Sequence, residues 1–439
     1  MARVLQTNKW LAFALLVLGF GFLFTAFYPG FMSSDSLQQY DQSHTLEFSD
    51  ALPPIMSWAW SKLNRLRDGP EVLLFAHLSL LWSALWIYMK NSRGYRWSSL
   101  YLAVGFLPWI ACIAGVLWKD VGMAFCLLIV MATLSGRHLT GKSLILTILL
   151  LLYAFMVRHN SIFAIAPIVF LLAYRLHPLA SKINLIALSA AAIILLFFSS
   201  NLINTHILHA KPMHLQRYVM TDDLFAISLN SNKSLIPYLD DINEIKRCSS
   251  VNLMETTLVG RGFCLKYSYP NDYDLLYQKS KEAWIPAVRE NFYEYLKFRI
   301  SVFLYLLRSP NLRPYFFWQN GIESNSMGLI QKDNLATQML KRYVFSVADI
   351  LPFLFKPYWW LASSILLLVA TFFLQGDRMA LIQIRTLLLS STLYILGYLP
   401  ITTAADFRYV YWSALATSIA VINYLCSDLK LRNLNQMKK

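Results

Sequence analysis

Residues 10 to 27 of this chain read WLAFALLVLGFGFLFTAF, eighteen positions without a charge, and residues 28 to 40 follow at once as YPGFMSSDSLQQY. A helix rises about 1.5 Å per residue, so such a run is long enough to cross a hydrocarbon core about 30 Å thick. Behind it Pro29 and Gly30 stop the helix, and Asp35, Ser36, Gln38 and Gln39 supply polar groups that have no use inside lipid. The stretch therefore predicts a membrane crossing that delivers a carboxylate, Asp35, to the water edge. Chemistry on a lipid-borne substrate needs its base at such a place.

The rest of the chain agrees with that reading. Hydrophobic residues make up 57% and charged residues 14% of the 439 positions, whereas soluble domains carry about a quarter charged residues. Mean hydropathy is +0.45. These values exclude a soluble globule and define an integral membrane protein. The formal net charge of +15 does not imply nucleic acid, because Lys and Arg punctuate apolar runs and form no single basic stripe. The positive-inside bias accounts for that distribution. No small-x-small cleavage site follows the first run and further spans come after it, so the first span is expected to stay in the protein.

Ten charge-free or nearly charge-free runs recur: Trp10 to Phe27, Val72 to Met89, Trp97 to Trp118, Val121 to Gly136, Ser143 to Val157, Ser161 to Tyr174, Ile183 to Leu202, Ile350 to Leu374, Thr386 to Ala405 and Tyr409 to Cys426. Ten crossings put both termini on one side. With that side cytoplasmic, the short loops there collect Arg3 and Lys9, Lys90, Arg93 and Arg96, Arg137 and Lys142, Arg175 and Lys182, Arg378 and Arg385, and the tail from Lys430. The organisation is then an all-α polytopic bundle. Residues 1–202 form an N-terminal module with a first outer loop at 28–70, residues 203–349 a large outer segment, and residues 350–439 a C-terminal module. Within the outer segment, Leu215 to Asn271 reads as a small folded cap. Trp284 to Leu307, with Phe292, Tyr295, Phe298, Val302 and Tyr305 at helical spacing, reads as one helix along the membrane surface. Cys248 and Cys264 share this outer segment, where they would either form a disulfide or stay as structural thiols. Neither has a His or Cys at ligand spacing, so no metal site is expected there.

Four polar clusters fall at outward ends of spans: Ser33-Ser34-Asp35-Ser36, Trp118-Lys119-Asp120, Arg158-His159-Asn160 and Asp406-Phe407-Arg408-Tyr409. Together they bring carboxylates and cations to one boundary, which suits a base beside an anion clamp. Each has a plainer alternative. Lys119 and Arg158 read equally as snorkelling anchors, although the outer side is the disfavoured side for them. Asp120 is either a partner of Lys119 or a helix cap, Asp406 and Arg408 a local ion pair, and Asp35 a helix N-cap.

In order and spacing, Tyr28-Pro-Gly-Phe-Met-Ser-Ser-Asp35, Pro53-Pro54-Ile-Met-Ser-Trp, Trp118-Lys119-Asp120-Val-Gly-Met-Ala and Arg158-His159-Asn160 resemble the GT-C glycosyltransferases, in particular bacterial members that use polyprenyl-phosphate sugars. The resemblance covers roughly residues 1–175 and returns at Tyr295 to Arg299 and at Arg408-Tyr409. It implies a GT-C-like bundle with Asp35 as catalytic base and Asp120 as a second acidic position. Lys119, Arg158, Arg408 and Arg299 would hold the donor phosphate, and Tyr40, Gln38, His159 and Asn160 would meet the acceptor or the sugar. Relatives often carry His before the Pro-Pro pair, where this chain has Ala51-Leu52. By size and layout the chain is similar to the phage-encoded enzymes that add glucose to O-antigen. The expected partners are a polyprenyl-phosphate sugar, a glycan or lipid-linked glycan acceptor such as lipopolysaccharide, and the bilayer of a bacterial inner membrane. A divalent cation, Mg²⁺ or Mn²⁺, stays open as a cofactor. The competing readings are an O-antigen polymerase or ligase, suggested by Arg217, Arg247, Arg261, Arg289 and Arg299, and a transporter, which the lack of repeats and of mid-span charges disfavours.

Overall fold

The computed structural model describes residues 9–92, 97–249, 265, 272–308 and 316–432. In chain order the helices are α1 (Lys9–Phe27), α2 (Ser34–Thr45), α3 (Pro54–Asn64), α4 (Glu71–Asn91), α5 (Leu100–Ala103), α6 (Pro108–Ala111), α7 (Lys119–Leu134), α8 (Gly141–Val157) and α9 (Ile162–Leu176). After them come α10 (Lys182–Leu202), α11 (Gln216–Ser231), α12 (Ile242–Ser249), α13 (Tyr273–Glu290), α14 (Phe292–Leu307), α15 (Leu335–Ile350), α16 (Pro357–Ala370), α17 (Arg378–Leu396) and α18 (Tyr411–Leu425). The strands β1 (Leu374–Gln375) and β2 (Lys430–Leu431) pair antiparallel.

Among the described residues five helices are long and apolar enough to cross a membrane: α1, α4, α9 with the turn before it, α10 and α17. The helices α8 and α16 are apolar but shorter. Exposure of large apolar side chains supports a lipid environment, since Trp10, Leu18, Ile183, Ile194 and Phe198 all point outward from α1 and α10. The fold is thus that of an all-α membrane protein.

At the centre stands α7, buried from Asp120 to Ala132 and packed by α4, α8 and α18. Polar caps start several helices at one end. Thr140 and Ser143 form a reciprocal capping box for α8, Ser181 caps α10, and the Asp377 carboxylate accepts from Met379 and Ala380 at the start of α17. At this same end Arg175 donates to the carbonyls of Gly136 and Arg137, and β1 pairs with β2.

Three expected elements differ. The run Trp97 to Trp118 is not one helix: α5, a 3-10 turn at Val104–Phe106 and α6 are followed by an irregular stretch in which Val116 bridges Phe31. The cause is Pro108, which has no N–H to donate and holds Leu107 extended at φ −58°, ψ 129°. Gly105 and Gly115 let the broken segment sink into the core, because a Cβ at Gly115 would lie 2.1 Å from Phe27. The expected surface helix from Trp284 to Leu307 is two helices, α13 and α14, broken at Asn291, which leaves helical backbone at φ −122°, ψ 43°. The run from Ile350 begins where α15 ends, since Pro352 and Pro357 restart the chain as a 3-10 turn and α16. The helix α15, in the segment read as wholly outer, packs along α1.

Candidate active site at one end of the bundle

Asp35 stands on the first turn of α2, and the start of that helix is fixed from both sides. Phe31 N–H donates to Gly115 O and receives Leu117 N–H at its own carbonyl, while Met32 exchanges the same pair of bonds with Gly321 and Glu323. Gly321 takes φ +69°, a conformation that suits glycine. The Glu323 carboxylate then accepts Ser34 N–H at 2.8 Å, and Ser36 Oγ donates to Leu117 O. The N-cap position is Ser33, not Asp35, and the Ser33 hydroxyl is occupied by Trp118 Nε1 at 2.8 Å. The carboxylate of Asp35 is therefore not consumed in capping. It accepts from Arg408 Nη1 at 3.1 Å and remains 39% exposed.

Arg408 also pairs with Asp406 at 3.1 Å, and Asp406 caps the 3-10 turn Phe407–Val410 by accepting Arg408 N–H. The guanidinium of Arg408 lies 4.9 Å from the Trp118 ring and 5.4 Å from the Tyr409 ring. The Arg158 guanidinium lies 4.6 Å from the same Tyr409 ring. Arg158, at the C-terminal end of α8, holds Asp120 through both oxygens at 2.9 and 3.2 Å, and donates to Tyr398 Oη at 2.8 Å. Asp120 is fully buried and pairs with Arg158 across the bundle, not with its neighbour Lys119. Lys119 has no ion pair or hydrogen bond from its ammonium among the described residues.

A cavity of about 440 Å³ is lined by Lys119, Arg158, His159, Asn160, Tyr398 and Tyr409 from the bundle, by Asp50, Pro53 and Pro54 from the first loop, and by Tyr218 and Val219 from α11, while Arg408, Asp406 and Asp120 lie outside its wall. Asp35 is not in its wall; it stands beside it, tied to Arg408. Burial opposes the Asp35 charge, but Arg408, Lys119 and Arg158 outweigh it and hold the carboxyl below its ordinary value. At Asp406 burial wins over the pull of Arg408, and its carboxyl is pushed up to about 6. The two carboxylates on Arg408 are thus driven apart.

The four polar clusters do come together at one end, which the sequence pattern led one to expect. Arg299 does not join them. It is buried against Asp223 at 2.7 Å and donates to the carbonyls of Val219 and Thr402, with Trp284 Nε1 on the other Asp223 oxygen. It ties the cap to the loop before Asp406. Tyr40 is buried between Trp60 and His44 and donates to Asp68, away from the cavity, and Gln38 is exposed. His159 is exposed at the cavity wall and bonds Ser200, and Asn160 lines the same wall. Cys248 is buried and disulfide-bonded; Cys264 and most of 250–271 lie outside the described residues. Among the described residues no three His, Cys, Asp or Glu side chains gather as a metal site would require.

Sequence reading missed Tyr398, Asp50 and Glu323. Asp50 directly precedes the Ala51-Leu-Pro-Pro stretch, and Tyr398 ends a span beside Pro400, so both carried a positional signal. Glu323 carried none. No family model, no curated protein and no solved structure matches this chain.

Proposed function

We propose that this protein is a membrane glycosyltransferase that moves a sugar, glucose in the narrowest reading, from a polyprenyl phosphate to an outward-facing glycan acceptor. The observation that carries the reading is the unpaired Lys119 ammonium beside Arg158 in the wall of a cavity, with a partly exposed, ionised carboxylate, Asp35, held by Arg408 next to it. An unpaired cation in such a wall suits an anionic headgroup, and the apolar bundle around it suits a lipid tail. The acceptor hydroxyl oxygen attacks the anomeric carbon while its proton passes to Asp35. The bond from that carbon to the phosphate oxygen breaks, and the lipid phosphate leaves carrying the electron pair. Inversion follows from attack opposite the leaving group. Lys119 and Arg408 stabilise the charge that grows on the phosphate, so no strong general acid is required.

The same reading places ten crossings in a bacterial inner membrane, both termini in the cytoplasm and the α11–α14 cap in the periplasm, a GT-C-like layout. The cap arginines Arg217 and Arg299 are buried, Arg217 against Tyr218 and Tyr273 and Arg299 against Asp223 and the Thr402 carbonyl. They give the polymerase reading little to work with.

The test is transfer of labelled glucose from a short-chain polyprenyl-phosphate glucose to O-antigen by protein in detergent. Asp35→Asn should lose about 10²- to 10⁴-fold in kcat, the usual contribution of a general base, while its melting temperature stays close to wild type. Equal turnover by the variant removes Asp35 as base, and no transfer by wild type removes the reaction.

A further inference from the structure

A second cavity of about 440 Å³ adjoins the first and shares Asp50, His159 and Asn204 with it. Its own wall comes from the end of α10, where the helix widens into a π-turn at Ile203–Ile207, a distortion that recurs at functional sites. The two cavities differ in chemistry. The first is lined by Lys119 and Arg158, while the second has no Lys or Arg in its wall and offers Ser200, Asn201 and Thr205 over the Phe155 and Phe197 rings. Hydroxyl, amide and carboxylate groups over aromatic carbon match a neutral polyhydroxylated ligand, and the wall offers a phosphate no Lys or Arg counter-charge. At the junction the Asp50 carboxylate spends one oxygen on Met213 N–H at 2.6 Å, and Asn204 Oδ1 has no hydrogen-bond partner.

We infer that this groove is the subsite for a neutral sugar residue of the acceptor, with Asp50 and Asn204 binding its hydroxyls where it meets the donor cavity. The inference rests on the glycosyltransferase reading for the word acceptor, but the binding it asserts is separable from transfer. Two variants leave the local structure in place: Asp50→Asn keeps the oxygen that accepts from Met213, and Asn204→Ala deletes a side chain whose oxygen bonds nothing. Binding of neutral O-antigen oligosaccharides to the protein in nanodiscs, followed by saturation-transfer NMR, is expected for wild type and for Lys119→Ala, and should weaken at least tenfold in both groove variants. In the transfer assay the same variants should raise acceptor KM at least tenfold and leave donor KM unchanged. Absence of glycan binding by wild type, or undiminished binding by both groove variants, overturns the subsite. Glycan binding that depends on Asp50 and Asn204 in a protein that transfers nothing leaves the subsite standing and removes the transferase reading instead.

Discussion

At the residue scale the cations of this molecule divide by what surrounds them. Lys119 faces the cavity unpaired, whereas Arg299 is spent on Asp223 with both side chains essentially inaccessible. Lys119→Ala should therefore raise donor KM by about tenfold to a hundredfold, the worth of a hydrogen bond to a charged group, with little change in melting temperature. Arg299→Ala should do the opposite. Removing the buried charge partner of Asp223 costs about 3–5 kcal/mol, read as a lowered melting temperature, while donor KM of the surviving fold stays put. Equal effects of the two on KM would contradict the division. Asp406 supplies a pH dependence with a definite sign. Its carboxyl, pushed up to about 6, gains a proton as pH falls through that value, which removes a negative charge beside Arg408. Binding of an anionic donor should tighten as pH drops below about 6, by about threefold to tenfold for one partly solvated unit charge. Asp406→Asn, which keeps an oxygen for the Arg408 N–H, should show low donor KM with no such pH step.

At the element scale Asp35 is only as well placed as the start of α2, and that start is held by a segment almost 300 residues away. Met32 and Ser34 are bonded by Gly321 and Glu323, so the stretch 319–323 acts as a strap across the helix end. Glu323→Ala removes the acceptor for Ser34 N–H and should cost about 0.5–2 kcal/mol of stability, the range for a lost helix cap. Its diagnostic effect is a fall in kcat with donor KM unchanged, because Asp35 shifts while Lys119 does not. A change in KM alone would count against a positioning role. This strap also marks the limit of what the chain's pattern reveals. Charge-free runs expose helices such as α1, α4 and α10, and span ends expose Asp35, Lys119, Arg158 and Arg408, because a charge beside an apolar run stands out. Backbone bonds between Met32 and Gly321 leave no trace in hydropathy. The break at Pro108 was open to reading from the proline alone, but the length of the run hid it. Arg299 looked like its fellow cations because sequence does not show that Asp223 lies opposite.

At the scale of the whole molecule there are two unlike ends. One carries Asp35, Lys119, Arg158 and Arg408, and the other gathers the helix caps Thr140, Ser181 and Asp377 with Arg175 and the β1–β2 pair. Lys142, Lys182 and Arg378 lie at the second end, the end that the topology proposed above would put in the cytoplasm. With the buried Cys112, Cys126 and Cys426 replaced by Ala, Thr45→Cys should react with a membrane-impermeant maleimide in intact spheroplasts. Lys182→Cys should react only after the membrane is permeabilised, and the reverse pattern would invert the molecule. The ion pair between Asp35 and Arg408 joins positions 373 residues apart. The site is thus completed late in synthesis: α1 to α17 are made while Asp35 has Lys119 and Arg158 near it but not yet the guanidinium it bonds. A chain that stops short of residue 408 lacks the guanidinium that holds the Asp35 carboxylate, so the pairing on which the proposed transfer depends is assembled only as α18 is about to be made.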